Sequence, residues 1–255
     1  MSILYVNGDS HSAGAEAVNP YCFAEDDPLL WAMGRKPHPD NERASYGCQI
    51  ANELGAILHC DAESASSNSR IIRTTDEYLF NEDVSQRFTP DLVIIGWSTW
   101  EREEWYNNGV YYQVTASGTD TLPENMQTQY KEWVVNQNQV TRDQCMLRWH
   151  TLIHRYHKKL QNANIPHLFF NTYSDFSAIR NKQVLSEASN VVPEEFDWEG
   201  CYLDPYDKNY TYYYWCLEKG FKTVNPHSYH FGPNAHDAWA EFLKDFYIDL
   251  LLTQK

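Results

Sequence analysis

Leu92-Val93-Ile94-Ile95-Gly96-Trp97 is an unbroken apolar run closed by a glycine and a tryptophan, and it constrains the fold more than any other stretch of the chain. A strand with one wet face alternates apolar and polar residues, whereas a continuous run of this kind is what a strand covered on both faces requires. Ile3-Leu4-Tyr5-Val6 reads as a second buried strand, Ala56 to Cys60 as a third and Ile165 to Asn171 as a fourth, with a last short strand over Phe221 to Asn225. Helical spacing fills the intervals near Arg43 to Leu54, near Ser69 to Asn81 and from about Thr141 to Asn162, where Met146, Trp149, Ile153, Tyr156 and Leu160 share one stripe. After Pro233, Trp239, Phe242, Leu243, Phe246 and Leu250 recur at helical spacing and define a final helix. The alternation predicts an α/β fold, a three-layer α/β/α sandwich around a parallel sheet of about five strands, carried by one domain over 1–255.

Two segments at opposite ends of the chain carry chemistry. In Val6-Asn7-Gly8-Asp9-Ser10-His11, Gly8 permits a sharp bend, so that Asp9 and Ser10 sit at the carboxyl end of the first strand, where open α/β sheets bind ligands. Gly-Asp-Ser is also ordinary turn chemistry. The second segment, His227-Ser228-Tyr229-His230-Phe231-Gly232-Pro233, holds His230 in a loop just before the final helix.

A serine after the first strand and a histidine before the last helix resemble the SGNH (GDSL-type) hydrolases, and the resemblance spans almost the whole chain. It implies an SGNH/flavodoxin-like sheet with Ser10 as nucleophile and His230 as general base. Gly96-Trp97-Ser98-Thr99 is similar to the family's third block, with Ser98 at the position of its Asn. Ser64-Ala65-Ser66-Ser67-Asn68 is similar in position to the second block, with Ala65 or Ser66 near its glycine. The resemblance therefore implies an oxyanion hole drawn from the Ser10 N–H, a backbone N–H at Ala65 or Ser66, and a side chain from Asn68 or Ser98. In the last block the family places an Asp three residues before its histidine; this chain has His227 there, which cannot supply the anion that orients an imidazole. A Ser-His dyad, a backbone carbonyl, or a carboxylate such as Asp204 or Asp207 are the alternatives. The long inserts and acidic chain also resemble phage-encoded SGNH-like proteins.

Aromatic residues cluster in two inserts, near 97–140 and 190–220. The first holds Trp97, Trp100, Trp105, Tyr106, Tyr111 and Tyr112, and the second runs from Trp198 through Tyr202, Tyr206, Tyr210 and Tyr212 to Trp215. Rings with apolar faces and polar edges suit sugar stacking, and they also serve as core anchors. Trp97, Trp100 and Asp9 are the substrate-contact candidates, with Arg102 as a clamp. No metal is expected: the trio His150, His154 and His157 reads as a solvated helix edge, while His236, beside His227 and His230, reads as a packing residue.

A formal net charge of −15 excludes a nucleic-acid surface, because phosphate binding needs clustered Lys and Arg. There is no apolar run of membrane length and no secretory leader pattern at the start, which predicts a cytoplasmic chain that does not engage a membrane. Six cysteines without a Cys-x-x-Cys pair read as reduced packing residues. The resulting expectation is a serine esterase without cofactor, acting on a small-molecule or glycan ester such as an acylated carbohydrate. The competing expectation is a catalytically weak binding module on the same fold, recognising glycan or protein through the aromatic inserts, Trp105 and Trp215 among them.

Overall fold

The computed structural model describes residues 2–81, 89–119, 121–186 and 190–245. Four parallel strands form the central sheet: β1 (Ile3–Gly8), β2 (Ile57–Cys60), β3 (Leu92–Trp97) and, after an antiparallel insert, β7 (His167–Asn171). Their order is β2-β1-β3-β7. On the far side of β7 a single parallel bridge joins Phe169 to Tyr202, and the expected fifth strand, over Phe221 to Asn225, is only an antiparallel bridge from Thr223 to Phe231. Polar Lys222, Thr223 and Asn225 leave that stretch no continuous apolar side to bury.

Alternate residues of each strand feed opposite layers, as the two-residue period of a strand dictates. Leu4, Val6, Leu92, Ile94, Leu168 and Phe170 pack with Tyr46, Ile50 and Trp239, from helices α2 (Tyr46–Leu54) and α8 (Pro233–Leu243). Tyr5, Val93, Ile95, Trp97 and Phe169 pack on the other face with Ile71 of α3 (Asn68–Leu79) and with the expected stripe of α5 (Gln139–Asn162), Met146 to Leu160. The three-layer α/β/α arrangement is therefore present, and the strand read as buried on both sides is fully buried along its length.

The first insert is a small antiparallel sheet of β4 (Glu103–Asn107), β5 (Val110–Thr115) and β6 (Gly118–Thr119), backed by α4 (Glu124–Val135). Helix starts follow local chemistry. The Ser45 side chain caps α2, so the helix expected from near Arg43 begins at Tyr46 and a separate short helix, α1 (Pro39–Arg43), precedes it; Ser67 caps α3 in the same way. α6 (Ser177–Arg180) and α7 (Tyr212–Glu218) complete the helices needed below. Phe246 and Leu250 of the expected final stripe lie outside the described residues. No helix among those described is long and apolar enough to cross a membrane.

Candidate active site

Sheet order places a reversal at β1 and β3, whose following loops diverge to leave a crevice at the strands' carboxyl ends. A cavity of about 420 Å³ opens there. Ser10 follows β1, Ala65 follows β2, Thr99 and Arg102 follow β3, Tyr173 follows β7, and Tyr229 and His230 come from the loop before α8; all line this cavity. The hairpin turn Thr115-Ala116-Ser117 closes one side.

The turn that carries Ser10 is built by close packing. A Cβ on Gly8 would lie 2.1 Å from Ser12 Oγ and 2.8 Å from the Gly96 carbonyl, so only glycine allows β1 to leave the sheet here. Ser12 is pinned in that space by a hydrogen bond from the Tyr46 hydroxyl at 2.8 Å. Successive turn bonds, Ala13 N–H to Asp9 O and Ala15 N–H to Ser10 O, then wind the chain back towards the cavity.

That return delivers Glu16, which occupies the role His227 cannot fill. Its Oε2 accepts from His230 Nδ1 at 2.5 Å and from the Ser228 hydroxyl at 2.6 Å, while Ser228 Oγ accepts the His230 N–H at 2.9 Å. Of the acids considered from sequence, Asp204 is engaged with Arg180 and Asp207 caps a helical turn at Asn209, so neither orients His230. Glu16 stands at φ 60°, a left-handed backbone that non-glycine residues adopt at some cost and that concentrates at functional positions. No spacing rule flags it; the only signal was a missing anion and one further acid in the turn that carries Ser10.

The two partners perturb each other. Burial pushes the His230 imidazole below its ordinary range, with Glu16 opposing that shift and the nearby His11 adding to it. The hydrogen bond from His230 holds the Glu16 carboxyl below its own range, against partial burial. With Nδ1–H donated to Glu16, the His230 lone pair sits on Nε2, the nitrogen a base uses.

Asp9 lines the cavity too, but its oxygens are engaged within the protein. Both of its oxygens are occupied: Oδ1 takes the His11 backbone N–H at 3.0 Å and ring Nδ1 at 3.1 Å, and Oδ2 takes Ser98 Oγ at 3.0 Å, Thr172 Oγ1 at 2.9 Å and Arg102 Nη1 at 3.3 Å. Burial alone would raise this carboxyl, but the His11 and Arg102 charges and hydrogen bonds outweigh it and hold it well below the usual carboxylate range. Asp9 thus fastens the loops after β1, β3 and β7 to one another. His11 extends the tie, its Nε2 lying 3.3 Å from the Tyr229 carbonyl.

Among the oxyanion candidates, Ala65 is at φ 66°, the conformation for which a glycine is the usual choice, and it lines the cavity. Ser66 does not serve, because its N–H is donated to the Glu63 carbonyl. Asn68 is also turned away: its amide donates to Ser98 O at 3.1 Å and accepts from Ser98 N–H at 2.8 Å, fixing the loop after β3. Ser98 Oγ donates to Asp9 and accepts from Arg102, which removes it as a donor to substrate. Arg102 lines the cavity while its Nη1 is tied to Asp9 and Ser98.

The tryptophans do not reach the cavity. Trp97 is fully buried edge-on to Phe169 and Tyr156, and Trp100 stacks on Phe176 at 4.4 Å. Trp105 and Trp215 are buried as well, in the hairpin cluster and against Trp239 respectively, and neither lines this cavity. The aromatic rim is instead tyrosine: Tyr173 and Tyr229 line the cavity, and Tyr173 contacts Tyr213 at 4.9 Å and Tyr214 at 5.5 Å. The supposed solvated edge of α5 is also corrected, since His150 and His157 are buried, His150 stacking on Phe196. His236 is a packing residue whose Nδ1 meets the Tyr46 N–H and the Tyr212 hydroxyl.

No family model matches the chain, and no curated protein does. Among solved structures it is similar to a carbohydrate esterase whose active site is described as having divergent catalytic and non-catalytic binding functions, with 16% identity and a TM-score of 0.45 over 100% of this chain and 69% of that one. It is similar to a protein of the lipolytic G-D-S-L family from Desulfitobacterium hafniense DCB-2, with 12% identity and a TM-score of 0.37 over 96% of this chain and 99% of that one. A family two carbohydrate esterase from Clostridium thermocellum, in complex with cellohexaose, gives 13% identity and a TM-score of 0.39 over 96% of this chain and 62% of that one. At identities of 12–16% and TM-scores of 0.37–0.45 these likenesses bear on no residue of the site.

Proposed function

We propose that the chain is a serine-dependent ester hydrolase in which Ser10 is the nucleophile, His230 the general base and Glu16 the carboxylate that holds the base. The observation that carries this reading is the bond from His230 Nδ1 to Glu16, which presents the Nε2 lone pair on a residue lining the same cavity as Ser10. Ser10 Oγ attacks the ester carbonyl as its proton passes to His230 Nε2, and the imidazolium so formed is stabilised by Glu16. The oxyanion is met by the N–H groups of Ser10 and Ala65. Collapse of the tetrahedral species expels the alkoxide, which takes the proton from His230; water then attacks the acyl-serine by the same route and frees the acid.

Asp9 acts one step back, locking the loops that carry Ser10, Ser98 and Thr172. For the substrate, the tyrosine rim supports an acylated carbohydrate, since sugar faces stack on exposed rings and Tyr229 is 60% exposed. A single domain carries the whole site in this reading. The test is hydrolysis of a short activated acyl ester by wild type, Ser10→Ala and His230→Ala, each checked for folding. Turnover in wild type and its loss in both variants is the expected result. Hydrolysis retained by folded Ser10→Ala would overturn the assignment, and absence of turnover on activated and acetylated-sugar esters alike would favour a binding role.

A further inference from the structure

At the opposite end of β7 from the cavity, a second cluster has no part in ester chemistry. His157 lies near the end of α5 and His167 opens β7, and the short connection between them brings Nδ1 of His157 to 2.8 Å from Nε2 of His167. His167 Nδ1 lies 2.8 Å from the Ile165 carbonyl, an acceptor only, so that nitrogen carries the proton and Nε2 carries the lone pair. The proton between the two rings therefore belongs to His157 Nδ1. It follows that His157 Nε2 is a bare lone pair, and this atom is buried with no hydrogen-bond partner among the described residues. A buried acceptor left in that state is costly and calls for an explanation.

Cys201 lies beside this pair. It follows Trp198 at the edge of the sheet, next to the Tyr202 bridge to β7, and its backbone carbonyl accepts the Phe169 N–H at 2.8 Å. One ring nitrogen from each histidine and the Cys201 sulfur lie within 4.8 Å of one another. We propose that His157, His167 and Cys201 form a binding site for a borderline-soft divalent cation of the zinc type. Two imidazoles and a thiolate are the donor set that zinc prefers, and three protein ligands leave one position for solvent. Binding takes the place of the His157–His167 hydrogen bond, because the His167 Nε2 lone pair that accepts it becomes the ligand. It releases one proton, that of the Cys201 thiol.

The site joins three pieces of chain, α5, the start of β7 and the segment around the Tyr202 bridge, which the His157–His167 and Phe169–Cys201 hydrogen bonds already connect. It is independent of the ester-hydrolase reading. The test uses the full reduced chain, stripped with a chelator and titrated with Co²⁺, then Zn²⁺. The expected result is a near-ultraviolet thiolate-to-cobalt charge-transfer band that saturates, is displaced by Zn²⁺, and is lost in Cys201→Ser. Zn²⁺ should also raise the Tm of wild type and leave that of Cys201→Ser unmoved. Because Cys201 is not fully buried and serine is close in size, this variant keeps the fold; His157→Gln, where it folds, should weaken cobalt binding at least ~10-fold. A missing charge-transfer band in wild type, or one that persists unchanged in Cys201→Ser, would overturn the proposal.

Discussion

Replacing Glu16 by Gln isolates the charge of the proposed catalytic carboxylate while keeping its size and its left-handed backbone. The amide oxygen still accepts from His230 Nδ1, with the Ser228 hydroxyl to orient it, so the ground-state geometry survives. What disappears is the anion opposite the imidazolium that forms as Ser10 gives up its proton. A hydrogen bond to a charged group is worth about 1.5–3 kcal/mol against about 0.5–1.5 for a neutral one, a difference of about 1–2 kcal/mol. That converts to roughly a 5- to 30-fold loss in kcat/KM. Fully buried triads lose far more, on the order of 10⁴-fold, but the Glu16 side chain is 25% exposed and water screens what it does. The pH profile supplies a second, independent sign. His230 works as the neutral base, and its acid limb in wild type lies below 6.5 because burial outweighs Glu16. Without the anion, protonation becomes harder still, so the limb should move to lower pH while the plateau falls. Steady-state kinetics on an activated ester from pH 4 to 9, with circular dichroism to confirm folding, gives both quantities. A plateau within twofold of wild type and an unmoved acid limb would refute the role assigned to Glu16.

Three further outcomes follow from the same geometry. Ala65→Gly removes the ~1–2 kcal/mol cost of an L-residue in the left-handed region and adds about 0.5–1 kcal/mol of backbone entropy, so urea unfolding should show a small net gain, and a loss above about 1 kcal/mol would contradict the φ of 66°. Thr172→Val deletes a buried donor to Asp9 and should cost about 1–3 kcal/mol in urea unfolding together with a fall in turnover; a neutral result would mean that the remaining donors suffice. His236 and His150 are held neutral by burial, with pKa values lowered from 6.5 to about 3 and about 4. Between those values and 6.5 the unfolded chain binds protons that the folded chain refuses, so stability should decline as pH falls through that window, by at most about 1.4 kcal/mol per pH unit for each histidine. Equilibrium unfolding between pH 4 and 7 measures the slope, and replacing His236 by Gln should reduce it.

What could be read ahead of the structure was whatever local pattern dictates. The run from Leu92 to Trp97 could only be a strand buried on both faces, the stripe from Met146 to Leu160 could only be one face of a helix, and Gly8 with Ser10 marked the turn after β1. The site's supporting residues were hidden for a different reason: they are polar, and their partners are far along the chain. Ser98 and Asn68 looked like donors to a substrate because serine and asparagine can be, yet each is consumed inside the protein, Asn68 by the Ser98 backbone and Ser98 by Asp9. Trp97 and Trp100 flank the site in sequence but lie in the core, Trp97 through the alternation of β3 and Trp100, beyond the strand's end, through its stack on Phe176.

The substitution of Glu16 for an Asp in the last block also changes how the site is held together. When the acid lies three residues before the histidine, base and acid ride on one loop and move together. Here they arrive from opposite ends of the chain, so the His230–Glu16 bond is itself a tie between the nucleophile turn and the loop before α8, reinforced by Ser228 on the acid and by His11 reaching the Tyr229 carbonyl. Loss of any of these ties would let the two loops separate, and separation costs alignment of Ser10 with His230 as well as charge. Mutations in the tie should therefore be less than additive, because the first one already releases the loop that the second would have released. A double-mutant cycle between Glu16→Gln and His11→Gln, scored on kcat/KM, measures that coupling. Strict additivity would mean that the two contacts act on separate parts of the site.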